Sequence, residues 1–388
     1  MPWKETCPMQ QRIRLIEDLI LGKLNIVELA KIYGVSRSNI YKWRKRFLSE
    51  GLAGLEELSR SPHNSPQSLD EEVQKELIEL KHAHPTWGPK KIVTLMKRNN
   101  GIECPAPSSV GEFLKKKGLV RSHRIRYRNT GNEQRACDYS KPNECWSIDF
   151  KGQFYVEKAN CYPLTLTDNC SRYLLRCKGL RSTARVGVIE VLENAFEEFG
   201  LPISIRSDTG SPFGSSGIGR LTRLNVWFIK LNIQPVFGRP GKPQDNGKHE
   251  RMHLTLKNEA CLPGSASMVM QQKAFDKFRN EYNFERPHEA LGQLCPASFY
   301  RKSGIRMPTI TPIITYPTSF DVRHVNKKGE IAWLGKRIFI SEALCDEFIG
   351  LDEREDGNFE VYFGPMYLAV LGRNNRKLTR LVRPEWRR

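Results

Sequence analysis

Three carboxylates in this chain fall where a strand or helix would hold them beside one another. Asp149 sits inside the strand-like run WSIDF, and Asp208 ends the strand-like run ISIRSD. Glu250 lies on a helix expected to begin near Pro243. A single acid at a strand end is ordinary. Three acids brought together suit one chemistry, phosphoryl transfer on a phosphodiester. That reaction uses hard cations to activate the nucleophile and to steady the leaving oxygen. Magnesium takes oxygen ligands and keeps several waters, so a few carboxylates suffice. A second pattern overlaps the third acid. His249-Glu250-Arg251-Met252-His253 is a literal H-E-x-x-H, the zinc-protease pattern, with two histidines one helical turn apart. Arg251 is charged where such a helix should be buried, and no third ligand stands out downstream.

The elements around these acids alternate in type. CWSIDFKG, YPLTLTDN and RYLLRCKGL read as three strands in quick succession. A helix over Val186–Phe199 follows, then the strand ISIRSD, a helix over Arg220–Leu231, the strand IQPVFG and a helix over Pro243–Ala260. A further helix spans Met268–Tyr282. The order predicts a mixed α/β sheet.

The N-terminal part predicts three short helices. Gly34-Val35-Ser36 forms a tight turn ending in a capping residue, and RSNIYKWRKRFL continues from it as a third helix. This is a helix-turn-helix layout, with the third helix as reader. Ile40, Trp43 and Phe47 face its core. Arg37, Asn39, Lys42, Arg44, Lys45 and Arg46 remain for DNA. Arg and Asn suit guanine and adenine edges, and Lys suits phosphates. A Ser/Pro linker at residues 59–68 leads to a second helical unit, with helices over Asp70–His82, Pro89–Asn99 and Ser108–Lys117. It reads either as a winged helix-turn-helix or as a helical spacer. The basic run Arg121–Arg128 reads as a linker that tracks a DNA backbone. After the Pro-rich stretch Met307–Pro317, hairpins around Lys328-Gly329 and Asp356-Gly357 predict a small closed barrel.

The acids and their neighbours resemble the catalytic core of bacterial insertion-sequence transposases and retroviral-type integrases, the DDE superfamily with an RNase H-like fold. The residues that carry the resemblance are Trp146 with Asp149, Ser207-Asp208 followed by Gly210, the stretch GKPQDNGKHERMHLTLK, and YNFERPHEAL over Tyr282–Leu291. The gap of 41 residues between Asp208 and Glu250 is longer than the family's usual spacing, and SPFGSSGIGRLTRL could supply the excursion. The N-terminal His/Cys zinc domain of retroviral integrases has no counterpart here.

The resemblance implies catalytic metal ligands at Asp149, Asp208 and Glu250, holding two magnesium ions, with manganese as a substitute. It implies DNA contacts from Lys257, which lies seven positions after Glu250 on one helical face, and from Arg286. It also implies a bacterial, nucleoid-associated enzyme that cuts element ends, joins them to target double-stranded DNA, and acts as at least a dimer. The alternative is a helix-turn-helix regulator without catalysis, which would not need three acids with Lys257. The expected domains are a helix-turn-helix at 1–60, a second helical domain at 69–122, an RNase H-like core at 141–302, an SH3-like barrel at 319–373 and a basic tail at 374–388.

The bulk properties agree. The chain has 388 residues, enough for several domains, and 39% of them are hydrophobic. A net charge of +19 favours a polyanionic partner. Ten scattered cysteines without a C-x-x-C pair fit free thiols in a reducing cytoplasm. No run of eighteen apolar residues predicts a membrane span, and the N-terminus does not read as a signal peptide.

Overall fold

The computed structural model describes residues 7–22, 24–57, 69–100, 104–120, 139–238, 247–374 and 377–387. The linker at 59–68, the basic run 121–128 and residues 241–246 of the GKPQDNG stretch lie outside them. Residues 1–70 form one compact unit and residues 71–388 another.

The first unit is three helices, α1 (Pro8–Ile20), α2 (Ile26–Ile32) and α3 (Arg37–Glu50). Asn25 caps α2 in a reciprocal box with Glu28, and the Ser36 hydroxyl caps α3. Gly34 between them has φ +63°, a left-handed turn that favours glycine. Leu15, Ile16, Leu29, Ile40 and Leu55 close the core.

The second unit begins with α4 (Glu71–Ala83), α5 (Pro89–Asn100) and α6 (Pro107–Lys116). Residues 121–138, where a wing would follow α6, lie outside the described residues. These helices are tied to the domain that follows. His84 Nδ1 lies 2.8 Å from Glu281, Lys90 bonds Glu289 at 2.8 Å, and Arg98 donates to the Glu285 carbonyl at 2.7 Å. The Thr86 hydroxyl bonds Glu259.

The central domain is a mixed sheet. Its strands are β1 (Cys145–Phe150), β2 (Phe154–Val156), β3 (Ala159–Asp168), β4 (Leu174–Leu180), β5 (Ser204–Ser207) and β6 (Gln234–Phe237). β3 runs antiparallel to β1, β2 and β4, whereas β1, β5 and β6 are parallel. The β2–β3 hairpin was not expected, because its turn residues Glu157 and Lys158 both have positive φ without the usual Asn-Gly signal. α7 (Arg185–Phe199) and α8 (Arg223–Lys230) cover one face of the sheet, over Trp146, Ile148, Leu164 and Leu166. α9 (Gly247–Leu256) and α10 (Met268–Asn280) cover the other, where Met252, Leu256, Phe275 and Phe278 pack on Cys161, Leu174 and Cys177.

The C-terminal strands depart from expectation. β7 (Asp321–His324), β10 (Phe348–Glu353), β11 (Phe359–Phe363), β12 (Met366–Leu371) and β13 (Leu378–Trp386) make one antiparallel sheet, in the order β13-β12-β11-β10-β7. β8 (Glu330–Trp333) and β9 (Lys336–Phe339) form a separate hairpin. No ring of ladder bonds closes a barrel among the described residues. The chain turns around Lys328-Gly329, where the Asn326 amide donates to the Glu330 carbonyl at 2.9 Å and Gly329 has φ 76°. It reverses again at Leu334-Gly335 (φ 43° and 76°), and β8 takes β9 as its ladder partner while β7 takes β10. The supposed basic tail is also a strand: β13 pairs with β12, and Leu378 and Trp386 pack on the domain's core. No helix of the described residues is long and apolar enough to cross a membrane.

Candidate active site

Side chains alternate across a strand. In β1 this sends Trp146 and Ile148 into the core under α7, and sends Ser147 and Asp149 to the side of α9. Asp208 follows β5 directly, and β5 is the parallel neighbour of β1. The end of β6 also approaches it: a Cβ built on Gly238 would lie 3.7 Å from Asp208 Oδ1. Glu250 stands in the first turn of α9. The buried face of that helix is His249, Met252, His253 and Leu256, which leaves Glu250, Leu254 and Lys257 exposed.

Asp149 reports how near the acids are to each other. Its pKa is pushed up to about 7, first by burial and next by the negative charge of Asp208, with Glu250 adding to the shift. The Phe150 amide and Lys151 oppose it. Asp149 therefore feels the negative charge of both other acids, which raises its pKa in the same direction as its burial. Lys151 is a cation in this site that the sequence did not single out, since a basic residue after a strand is common. Asp208 and Glu250 are exposed and Asp149 is half-buried. Carboxylate oxygens with access to water are the donor set of a hard divalent cation.

The two histidines of the H-E-x-x-H pattern point the other way, onto the sheet. His249 reaches the Thr165 hydroxyl with Nε2 and the Thr167 hydroxyl with Nδ1, each at 2.8 Å. His253 Nε2 reaches Thr165 at 2.7 Å, and its Nδ1 is 3.8 Å from Asp149 Oδ2. Burial lowers the pKa of His249 to about 3 and that of His253 to about 2, so both are neutral near pH 7. Ligand atoms of Asp149, His249 and His253 lie within 4.8 Å of one another. Both ring nitrogens of His249 are held by threonine hydroxyls, however, so to bind zinc through both imidazoles the chain would have to break one of the His249 bonds. Glu250, one residue on, turns away toward solvent. The protease reading therefore has no support in the side-chain directions.

The residues expected at DNA divide into two groups. Arg37, Asn39, Lys42, Arg44 and Lys45 are all exposed on α3. Arg46 is not spread outward: it donates to the Glu56 carbonyl at 2.8 Å and lies 4.8 Å from the centre of the Trp43 ring, with Arg12 at 4.2 Å from that centre. Lys257 is exposed at the start of a π-helical turn, Lys257–Cys261. Arg286 departs from expectation. It is buried, pairs with Glu259 at 2.6 Å and lies 5.5 Å from the centre of the Trp87 ring. Tyr282, Asn283, Pro287 and His288 of the same run are buried with it, whereas Phe284, Glu285 and Glu289 are exposed. Asn283 satisfies both the amide and the carbonyl of Leu174 at 2.8 and 2.9 Å.

Against known protein families, an integrase core domain matches residues 139–243 and a second integrase core domain matches 231–296. A helix-turn-helix domain matches 11–63, and a homeodomain-like domain 39–114. An uncharacterized 39.2 kDa protein of insertion element IS476 from Xanthomonas euvesicatoria is 24% identical over 253 residues, 64% of this chain and 70% of its own. The transposase for transposon Tn552 of Staphylococcus aureus is 24% identical over 317 residues, 72% of this chain and 64% of its own. An uncharacterized 31.7 kDa protein of insertion element IS407 from Burkholderia multivorans is 26% identical over 240 residues, 61% and 83% of the two chains. The chain thus carries helix-turn-helix and integrase-core domains, and its relatives are proteins of mobile elements.

Proposed function

We infer that this chain is an insertion-element transposase, an enzyme that binds the ends of a mobile DNA element and cuts and rejoins DNA strands there. The observation that carries the reading is that Asp149, inside the integrase-core match, feels the negative charge of both Asp208 and Glu250. We assign these three as the ligands of two magnesium ions, with manganese able to replace them. We read the central sheet as RNase H-like, and the C-terminal sheet and hairpin around their shared core as an opened SH3-like barrel. The domain limits in this reading are 1–60, 69–122, 141–302 and 319–387.

Bound divalent cations would polarise the attacking and leaving oxygens of the phosphodiester. The residues of the chain do the positioning. The parallel neighbours β1 and β5 carry Asp149 and lead into Asp208, and α9 carries Glu250 in its first turn. Lys257, exposed beyond Glu250, is placed to hold a phosphate of the DNA end. Arg37, Asn39, Lys42, Arg44 and Lys45 of α3 are the assigned readers of the end sequence. Water attacks first to release a 3′-hydroxyl, which then attacks the target strand in line. No covalent enzyme intermediate is needed. The setting is the bacterial nucleoid, and at least two copies hold a pair of ends.

The test is strand cleavage on an end-containing oligonucleotide by Asp149→Asn, Asp208→Asn and Glu250→Gln. All three should lose cleavage and keep DNA binding. Full activity in any one would remove that residue from the assignment. A second reading, a regulator without catalysis, would leave the three variants indistinguishable from wild type in every assay.

A further inference from the structure

Between the strand that carries Asp149 and the helix that carries Glu250 lies a buried polar knot of Thr165, Thr167, His249 and His253. Its hydrogen bonds can be assigned one by one. A threonine hydroxyl has one proton and two lone pairs. The Thr165 proton goes to the Asp149 carbonyl oxygen, 3.1 Å away, which can only accept. Both imidazoles that touch Thr165 must then donate to it, His249 through Nε2–H at 2.8 Å and His253 through Nε2–H at 2.7 Å. In His249 this leaves Nδ1 to accept the Thr167 hydroxyl proton at 2.8 Å. In His253 it leaves Nδ1 facing Asp149 Oδ2, at 3.8 Å too far for a direct hydrogen bond.

The Thr165 hydroxyl thus touches both the strand that carries Asp149 and the helix that carries Glu250. It sits opposite Asp149 in the β1–β3 register and holds two successive turns of α9. The neighbouring contacts, Met252 and Leu256 on Cys161 and Phe275, are apolar and non-directional. They hold the helix against the sheet but do not fix its depth or rotation as directional bonds do.

We propose that Thr165 is a positioning residue for the active site: its hydroxyl locks the helix bearing Glu250 to the strand bearing Asp149, and it holds the Nε2–H of His253 so that the other ring nitrogen faces Asp149. This rests on reading Asp149 and Glu250 as one metal-holding set. Groups behind metal ligands that fix their geometry commonly change metal affinity or activity by about 10- to 100-fold when removed.

The experiment has two parts. Long-range 15N–1H correlation on the full chain, with 15N-labelled histidine, reads the tautomers directly. His249 and His253 should both carry the proton on Nε2, and an Nδ1–H tautomer in either overturns the proposal. Single-turnover cleavage is then followed against magnesium concentration for Thr165→Val and Thr165→Ser. The valine variant should bind DNA ends like wild type, yet lose about 10- to 100-fold in cleavage or need correspondingly more magnesium. The serine variant, which keeps the hydroxyl, should recover most of that loss. Wild-type cleavage and magnesium dependence in Thr165→Val, or a serine variant as poor as the valine, overturns the proposal. A valine variant that fails to fold leaves the decision to the wild-type tautomers. Asp149→Asn and Glu250→Gln run alongside. Activity in those would remove the carboxylate assignment itself, whereas their inactivity beside a normal Thr165→Val removes only the positioning role.

Discussion

At Asp149, burial and like charge push in the same direction, which makes metal-free protein pay a pH-dependent penalty for keeping the acid. The group binds its proton up to about pH 7 when folded, but only up to its ordinary value of 3.8 when unfolded. Between these values the folded state holds more protons, so its stability falls as pH rises from about 4 to about 7. Asp149→Asn should remove that slope. In metal-free protein the variant should melt higher than wild type at pH 8, by the equivalent of about 1–3 kcal/mol, and show little gain at pH 4. A lower melting point at pH 8 would contradict the crowding of the three acids. The buried histidines act oppositely. Their folded pKa values, about 3 and about 2, lie below the unfolded value of 6.5, so the stability they contribute is lost as pH falls below about 6.5. Wild type should therefore be destabilised on acidification below pH 6.5, and His249→Gln should flatten that part of the profile; an unchanged profile would count against a neutral buried His249.

At the scale of elements, α3 and the turn after α10 make contrasting use of arginine. Arg37 stands exposed at the start of α3, where a recognition helix contacts base edges. Arg37→Ala should lower discrimination between element ends and random DNA by about 1–3 kcal/mol. Lys45→Ala should weaken both ligands alike and reduce the salt slope by about one. Equal losses on both ligands for Arg37→Ala, in a binding titration at fixed salt, would argue against base readout there. Arg286 is the reverse case. Its guanidinium is buried against Glu259, and removing one partner of a buried pair costs about 3–5 kcal/mol. Arg286→Ala should shift the urea midpoint of the 71–388 unit downward, with any loss of DNA binding following from instability. Normal stability with impaired DNA binding would restore it to the DNA surface.

At the scale of the molecule, the second helical unit is a fixed part of the central domain. Glu259, Glu281 and Glu289 accept Thr86, His84 and Lys90, and Glu259 also pairs with Arg286. These acids sit in and beside the π-helical turns Lys257–Cys261 and Glu281–Glu285, so the segment after Glu250 serves both the site and the docking of α4–α6. Two element ends must be joined in one reaction, so the active species should contain at least two copies of the chain. Light scattering on the DNA complex during strand transfer should give a mass of two or more chains. Transfer by a single copy would refute this.

The local order of residues was enough to place several things. Gly34-Val35-Ser36 and the basic helix after it announced the helix-turn-helix, because caps and turns are set by neighbours in sequence. Asp149 and Asp208 could be singled out because the β1 and β5 runs are short, apolar and bounded. Glu250 followed from its helix and the motif around it. The tertiary structure decided which faces meet. Alternation along β3 puts Thr165 and Thr167 on one side, but only the packing of α9 showed that two histidines cover them and that the histidines of the H-E-x-x-H pattern turn away from solvent while Glu250 faces it. The same holds for Arg286, whose partner Glu259 is distant in sequence, and for β7, which leaves its neighbour β8 to pair with β10. Sequence periodicity encodes whether a side chain is buried, while its partner is chosen by long-range packing that no local window contains.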